Sequence, residues 1–144
     1  MSSSGLLDAV ILASQFGNVE FVVEMVKSNP ALLHVNTTAG GIFHVAVANR
    51  QEKIWNLIYG FGAEGGEFAR FVDTDLNTLL HVAGMLAPAK RFSNISGAAM
   101  QTQREMQWYK EVEMISPPLI KAAANNAGKT GEIVVSQMAQ DKLR

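Results

Sequence analysis

Two short segments with the same order of residues constrain the fold of this chain more than any other feature. Each contains His, Val and Ala in succession, at positions 44–46 and again at positions 81–83. Counting back 33 residues from His44 reaches Ile11, in a third apolar segment that a Gly17-Asn18 turn follows. A period of this size is typical of short helix pairs that bury their apolar faces only by stacking on one another. The longer spacing of 37 residues between His44 and His81 indicates an insertion of four.

The first unit has the spacing of an antiparallel helix pair. Residues 7–16 form the first predicted helix, and Val19, Val22, Val23 and Val26 recur on one face of the second. We expect the second helix to span residues 19–26 and Asn29-Pro30 to terminate it, because proline cannot continue a helix and restricts the residue before it. We expect residues 32–36 to run out as an extended loop.

The second unit repeats this plan. Residues 42–48 form its first predicted helix, and Ile54, Trp55, Leu57 and Ile58 give its second helix an apolar side. Gly41 precedes the first helix and caps it less well than a hydroxyl side chain would. Residues 60–75 contain several glycines and two aspartates, so we expect a long irregular loop there.

The third unit begins at Thr78, whose hydroxyl can cap a helix that runs to about Leu86. An insertion at residues 89–97 separates this helix from a long predicted helix over residues 98–115. A turn at residues 125–130 resembles the loop that opens another unit, and residues 130–144 would form a short, polar, partial fourth unit.

Composition excludes several functional classes. The 144 residues carry a net charge of −1 with acidic and basic residues interspersed, so nothing indicates nucleic-acid binding. The chain has no cysteine, which excludes disulfides and thiolate metal sites. The N-terminus lacks the features of a secretory signal, and no segment of the chain has the character of a transmembrane helix. We therefore expect a soluble, intracellular chain of one domain, residues 1–144.

Residues 78–83, Thr-Leu-Leu-His-Val-Ala, resemble the ankyrin signature Thr-Pro-Leu-His-Leu-Ala, with Leu79 in place of Pro. Three longer stretches, at residues 54–60, 77–87 and 96–113, are similar to plant ankyrin-repeat proteins of the accelerated-cell-death and salt-tolerance type. The resemblance covers about residues 5–135 and implies an all-α ankyrin-repeat solenoid with an insertion in its third unit. The units would span about residues 5–37, 38–74 and 75–125, with a partial unit at 126–144.

The chain departs from that family's pattern at three positions. Leu76 stands where Gly is expected, Gly131 stands where the fourth repeat would carry Pro, and Val134 replaces that repeat's His.

Relatives of this type carry a C-terminal membrane domain and act in stress and defence signalling through protein contacts. The resemblance implies a non-catalytic protein–protein interaction module, on the cytoplasmic face of a membrane, with the plasma membrane expected. The alternative is a regulatory cytoplasmic segment that acts in cis on a membrane domain absent from this chain, or that self-assembles.

Three patterns of chemical interest have simpler structural explanations. Residues 60–65 match a dinucleotide-binding spacing of glycines, but a predicted helix precedes them where that motif needs a strand. Gly128-Lys129-Thr130 resembles the end of a phosphate-binding loop, but Ala123 stands where that loop needs its first Gly. Histidines one repeat apart, about 10 Å, are too distant to share a metal. We predict no enzymatic activity, cofactor, metal or small-molecule substrate.

Two groups of residues are predicted to matter, one structural and one for binding. In the structural group, Ala46 and Ala83 permit close approach of first helices, Thr78 caps, and His44 and His81 tie loop backbone to the neighbouring unit. The partner would be a protein bound by the concave surface of the first helices and by the projecting loops. The predicted partner-binding residues are Asn49, Arg50, Lys90, Arg91, Phe92 and Trp108. The insertion also fits a solvated loop, and the aromatic side chains of Trp55, Tyr59, Trp108 and Tyr109 also fit core packing.

Overall fold

A computed structural model of the chain describes residues 3–35, 37, 40–57, 71–85 and 98–143. These residues form helices, turns and loops and contain no strand, so the predicted all-α class is confirmed. In chain order the elements are α1 (Ser3–Phe16), α2 (Val19–Ser28), a 3₁₀ helix (Pro30–His34), α3 (Ile42–Ala48), α4 (Glu52–Trp55), α5 (Leu79–Gly84), α6 (Ala98–Ile115), α7 (Pro118–Lys121) and α8 (Gly131–Leu143).

The first helices of successive units lie side by side. α1 packs against α3, α3 against α5, and α5 against α8. Every residue of α5 is buried, as are the first six of α3, because neighbours cover both sides of these short helices. α1 lies at one end of the row, and Val10 and Ser14 are its buried side chains among those described.

The second helices pack on the same row and complete the core. α2 packs on α1 and α4 on α3, while the long helix α6 packs against both α5 and α8. One apolar cluster runs from Val10 and Val22 in the first unit, through Trp55, to Val112 and Val135 at the far end. Continuity of this kind is how short helix pairs obtain a core that none could bury alone.

The chain after α2 differs from the extended loop expected at residues 32–36. Pro30 begins a 3₁₀ helix that continues to His34, with Leu32 and Leu33 buried. Proline suits a first helical position because its φ is already helical and its missing N–H would have had no partner there. The turn directs two successive leucines into the core, which an extended segment with alternating faces could not do.

In the third and fourth units, some helix ends lie where they were predicted and others do not. α6 has the predicted bounds, and its polar residues Arg104, Gln107 and Glu111 are exposed. α5 ends at Gly84, with Met85 as its cap, earlier than the predicted end at Leu86. The polar fourth unit forms a helix of 13 residues packed on α5 and α6. Among the described residues, no helix combines the length and hydropathy needed to span a bilayer.

Candidate functional site

The loops that open the third and fourth units have the same conformation. Asp73 Oδ1 accepts hydrogen bonds from the backbone N–H groups two and four residues later, at 2.9 Å each. Asn125 Oδ1 accepts in the same way, at 3.0 and 3.1 Å. Both loops then place a residue in the left-handed region, Leu76 at φ 63° and Gly128 at φ 74°. Equivalent positions of the third and fourth units are therefore 52 residues apart.

A buried histidine connects each of two successive units to the next loop. His44 Nε2 lies 3.1 Å from Asn77 O, and His81 Nε2 lies 2.8 Å from Lys129 O. In each ring, Nδ1 accepts from the backbone N–H three residues earlier, at 3.5 and 3.1 Å. Because Nδ1 accepts, Nε2 carries the hydrogen and donates to the carbonyl of the next loop. The two rings thus pair backbone groups that stacking removes from water.

The ends of the first helices explain how these rings are held. Thr78 Oγ1 accepts from His81 N at 3.4 Å and lies 2.9 Å from His81 Nδ1, so the cap also fixes the ring. Gly41 cannot supply such a bond for α3. Ala46 and Ala83 are fully buried in α3 and α5, where small side chains let neighbouring helices approach.

The loop equivalence corrects the predicted position of one residue. The resemblance to ankyrin repeats predicts that Val134 stands where the fourth unit would carry its His. The offset of 52 residues instead aligns Thr130 with Thr78 and Ile133 with His81. Ile133 has no polar atom in its side chain and is exposed, so the described series of histidine ties ends at His81.

Arg50, predicted to contact a partner, makes internal bonds in the structure. Its guanidinium lies 2.6 Å from the Glu105 carboxylate and also donates to the carbonyls of Val47, Ala83 and Met85. Burial lowers the pKa of Arg50 from its ordinary value, while the adjacent Glu105 opposes that shift. The charged group therefore joins the second unit to both helices of the third.

The sequence gives a partial signal for this ion pair. Glu105 falls on the buried face of α6 together with Tyr109 and Val112, and a carboxylate at such a position requires a charged or hydrogen-bonding partner. Arg50 is 55 residues away, and no local pattern identifies it as that partner.

Asn49 and Trp108, also predicted to contact a partner, have internal bonds as well. Asn49 Nδ2 donates to Val45 O at 2.9 Å at the end of α3. Trp108 Nε1 donates to Val47 O at 3.2 Å, and its ring meets Trp55 edge to face with centroids 6.2 Å apart. The two tryptophans therefore pack α6 against the second unit.

Of the remaining aromatic candidates, Trp55 and Tyr109 are buried. Burial raises the pKa of Tyr109 to about 12, and the nearby carboxylates of Glu113 and Glu132 add to that shift. Predicted residues Tyr59, Lys90, Arg91 and Phe92 lie outside the described residues, as does the glycine-rich segment at 60–65.

The described polar groups show no assembled metal-ligand set. Within residues 3–35, 37, 40–57, 71–85 and 98–143, no three His, Asp or Glu side chains gather closely enough to hold an ion. The segment at 128–130, similar in sequence to a phosphate-binding loop, forms the turn whose Lys129 carbonyl lies 2.8 Å from His81 Nε2. Lys129 Nζ donates to Gln137 Oε1 at 2.7 Å.

Comparison of the chain with family models, curated proteins and solved structures finds no match.

Proposed function

We propose that this chain is a non-catalytic protein–protein interaction module built on an ankyrin-type stack of helix pairs. The observation that carries the proposal is the use of buried polar groups to connect one unit with the next. His44, His81 and Arg50 each bond backbone groups of the following unit. Side chains used in this way produce a rigid scaffold, and loops on a rigid scaffold are well suited to recognition.

The binding surface would comprise the concave side of the first helices and the projecting loops. The insertion in the third unit contributes Lys90, Arg91 and Phe92, and both Arg and aromatic side chains are enriched among residues that dominate interface energies. Arg50 and Trp108 would act mainly by holding the surface that carries this insertion, because their polar atoms already have internal partners.

The physiological setting we propose is plant stress or defence signalling at the cytoplasmic face of the plasma membrane. Its support is the resemblance of residues 96–113 to one group of plant ankyrin-repeat proteins. Two residues of that stretch connect it to the second unit, since Glu105 pairs with Arg50 and Trp108 bonds to Val47 O.

The experiment that tests the proposal is affinity capture with the full chain as bait, with proteins quantified by mass spectrometry. The test variant replaces Lys90, Arg91 and Phe92 with Ala. The matched control replaces Arg104, Lys110 and Glu111 with Ala, since these residues lie exposed on α6. We expect a set of proteins to be captured by parent and control but lost with the insertion variant, at unchanged Tm.

Two results would contradict the proposal. One is that no protein is enriched over an unrelated helical bait of the same size. The other is that capture depends on a small molecule that the chain itself converts to a product.

A further inference from the structure

The end of the stack formed by α1 and α2 carries exposed apolar side chains around a cavity. Leu12, Phe16 and Phe21 are 55 %, 71 % and 37 % exposed. With Ala9, Ala13 and Asn18 they line a cavity of about 270 Å³. Large apolar side chains gathered in this way on a surface indicate a contact that the isolated chain leaves unmade.

In the second unit the equivalents of Leu12 and Phe21 are buried, whereas Asn49, the equivalent of Phe16, is part-buried. A shift of 33 residues carries Leu12 onto Val45 and Phe21 onto Ile54, which are 8 % and 0 % exposed. The position of Leu12 recurs in the third unit as Val82, which is also buried. At these positions the face is therefore covered in the second and third units, each of which has another unit before it.

A hydrogen bond shows which neighbour covers this face. The 33-residue shift carries the cavity-lining residue Asn18 onto Gln51. Gln51 Nε2 donates to the carbonyl of Gln15, in the unit that precedes its own, at 2.8 Å. The part of the face around Asn18 is therefore equivalent to a surface that contacts the preceding unit.

The fourth unit shows that the position of Ala9, another residue lining the cavity, also faces the preceding unit. Gly131 occupies the position of Ala9. A Cβ atom added to Gly131 would lie 2.9 Å from Leu80 Cγ, in the first helix of the unit before it. The face lined by Ala9 and Asn18 is accordingly the one that later units turn towards their predecessors.

The opposite end of the stack does not complement this face. Glu132 in α8 takes the position that Val10, fully buried, has in α1. Its neighbours Ser136 and Gln137 are also polar and exposed. Joining one copy to another end to end would bury the Glu132 carboxylate against apolar side chains, which is unfavourable without a partner charge.

We propose that the face formed by Ala9, Leu12, Ala13, Phe16, Asn18 and Phe21 is a docking site for one further helix pair of this chain's own kind. That pair would stack ahead of α1 as α1 stacks ahead of α3. Its first helix would supply apolar side chains in the role of Leu80, and the last turn of that helix would supply a backbone carbonyl in the role of Gln15 O. This inference is independent of the partner-binding function proposed above, because it concerns stacking alone.

A tandem chain tests the proposal directly. Residues 5–37, which make one period of 33 residues, are duplicated ahead of the full chain. Because the chain has no cysteine, a Leu12→Cys substitution in the original unit provides a single reporter thiol. Met114→Cys, at an exposed position of α6, provides the matched control.

We expect the thiol of the Leu12→Cys variant to react with a maleimide about tenfold more slowly in the tandem chain than in the single chain. The Met114→Cys thiol should react equally fast in both. A Phe16→Asp substitution in the original unit should remove the protection, because it places a charge where the added pair would pack.

Equal reactivity of the Leu12→Cys thiol in the two chains would overturn the proposal. That holds even when the duplicated unit remains unfolded, since docking is what would bury its apolar face. Protection that develops in the single chain as its concentration rises, together with dimerisation, would also overturn it, because a second copy would then be the occupant.

Discussion

The His81→Ala substitution tests the connection between the third unit and the loop of the fourth. His81 is fully buried, and its Nε2–H bonds to Lys129 O at 2.8 Å while Nδ1 accepts from Thr78 N at 3.1 Å. Truncation removes the partner of the part-buried Lys129 carbonyl and of the buried Thr78 N–H, and a buried group left without a partner costs about 1–3 kcal/mol. With the cavity left by the ring, we expect the free energy of unfolding to fall by about 3–5 kcal/mol.

A loss of that size is a large fraction of the roughly 5–15 kcal/mol that stabilises a domain. Urea unfolding followed by circular dichroism at 222 nm measures it, and His34→Ala, at an exposed position, serves as the control. Hydrogen exchange should show α8 losing protection before α1, since the lost bond holds the loop that leads into α8. A free energy of unfolding within about 0.5 kcal/mol of the parent would refute the structural role assigned to His81.

Three further predictions concern the loops, the second unit and its ion pair. Leu76→Gly should stabilise the chain by about 0.5–1 kcal/mol, because glycine adopts the left-handed backbone of this exposed position without strain. Gly128→Ala should cost about 1 kcal/mol because of its left-handed backbone alone, since an added Cβ atom would meet no neighbour. The midpoints of urea unfolding measure both changes. Burial lowers the pKa of His44 below its ordinary value of 6.5, so the unfolded chain binds more protons than the folded chain below that pH. Tm should therefore fall as pH drops from 6.5 towards 5. If His44→Gln left the dependence of Tm on pH unchanged, His44 would not be its source. Arg50→Ala should cost about 3–5 kcal/mol by leaving the Glu105 carboxylate buried and unpaired, and the double variant Arg50→Met with Glu105→Leu should recover much of that loss in the same unfolding assay.

Local sequence patterns predicted those parts of the fold that depend on local spacing. The helix at Ile42–Ala48 has its predicted bounds because apolar residues fill every side of a short segment that must lie between neighbours. The helix at Ala98–Ile115 is predictable for a different reason. Apolar residues recur at helical spacing on one face with polar residues on the other, and Ser116-Pro117 ends the helix.

The features that the sequence did not predict depend on distant residues or on backbone geometry. The Arg50–Glu105 pair joins positions 55 residues apart, so neither residue's neighbours identify the other. The 3₁₀ helix at Pro30–His34 depends on whether two adjacent leucines face the core together, which only the packing of α2 decides. The His position of the fourth unit was misplaced by one residue because the loop hydrogen bonds, and not the apolar pattern, define the register.

In each of two successive units a buried imidazole bonds to the loop of the next unit. The most direct measurement is NMR spectroscopy of the imidazole nitrogens in the full chain labelled with ¹⁵N. We expect His44 and His81 to carry the ring hydrogen on Nε2, with slowly exchanging protons that show contacts to the loops containing Asn77 and Lys129. Three imidazoles that all exchange rapidly with solvent would contradict it.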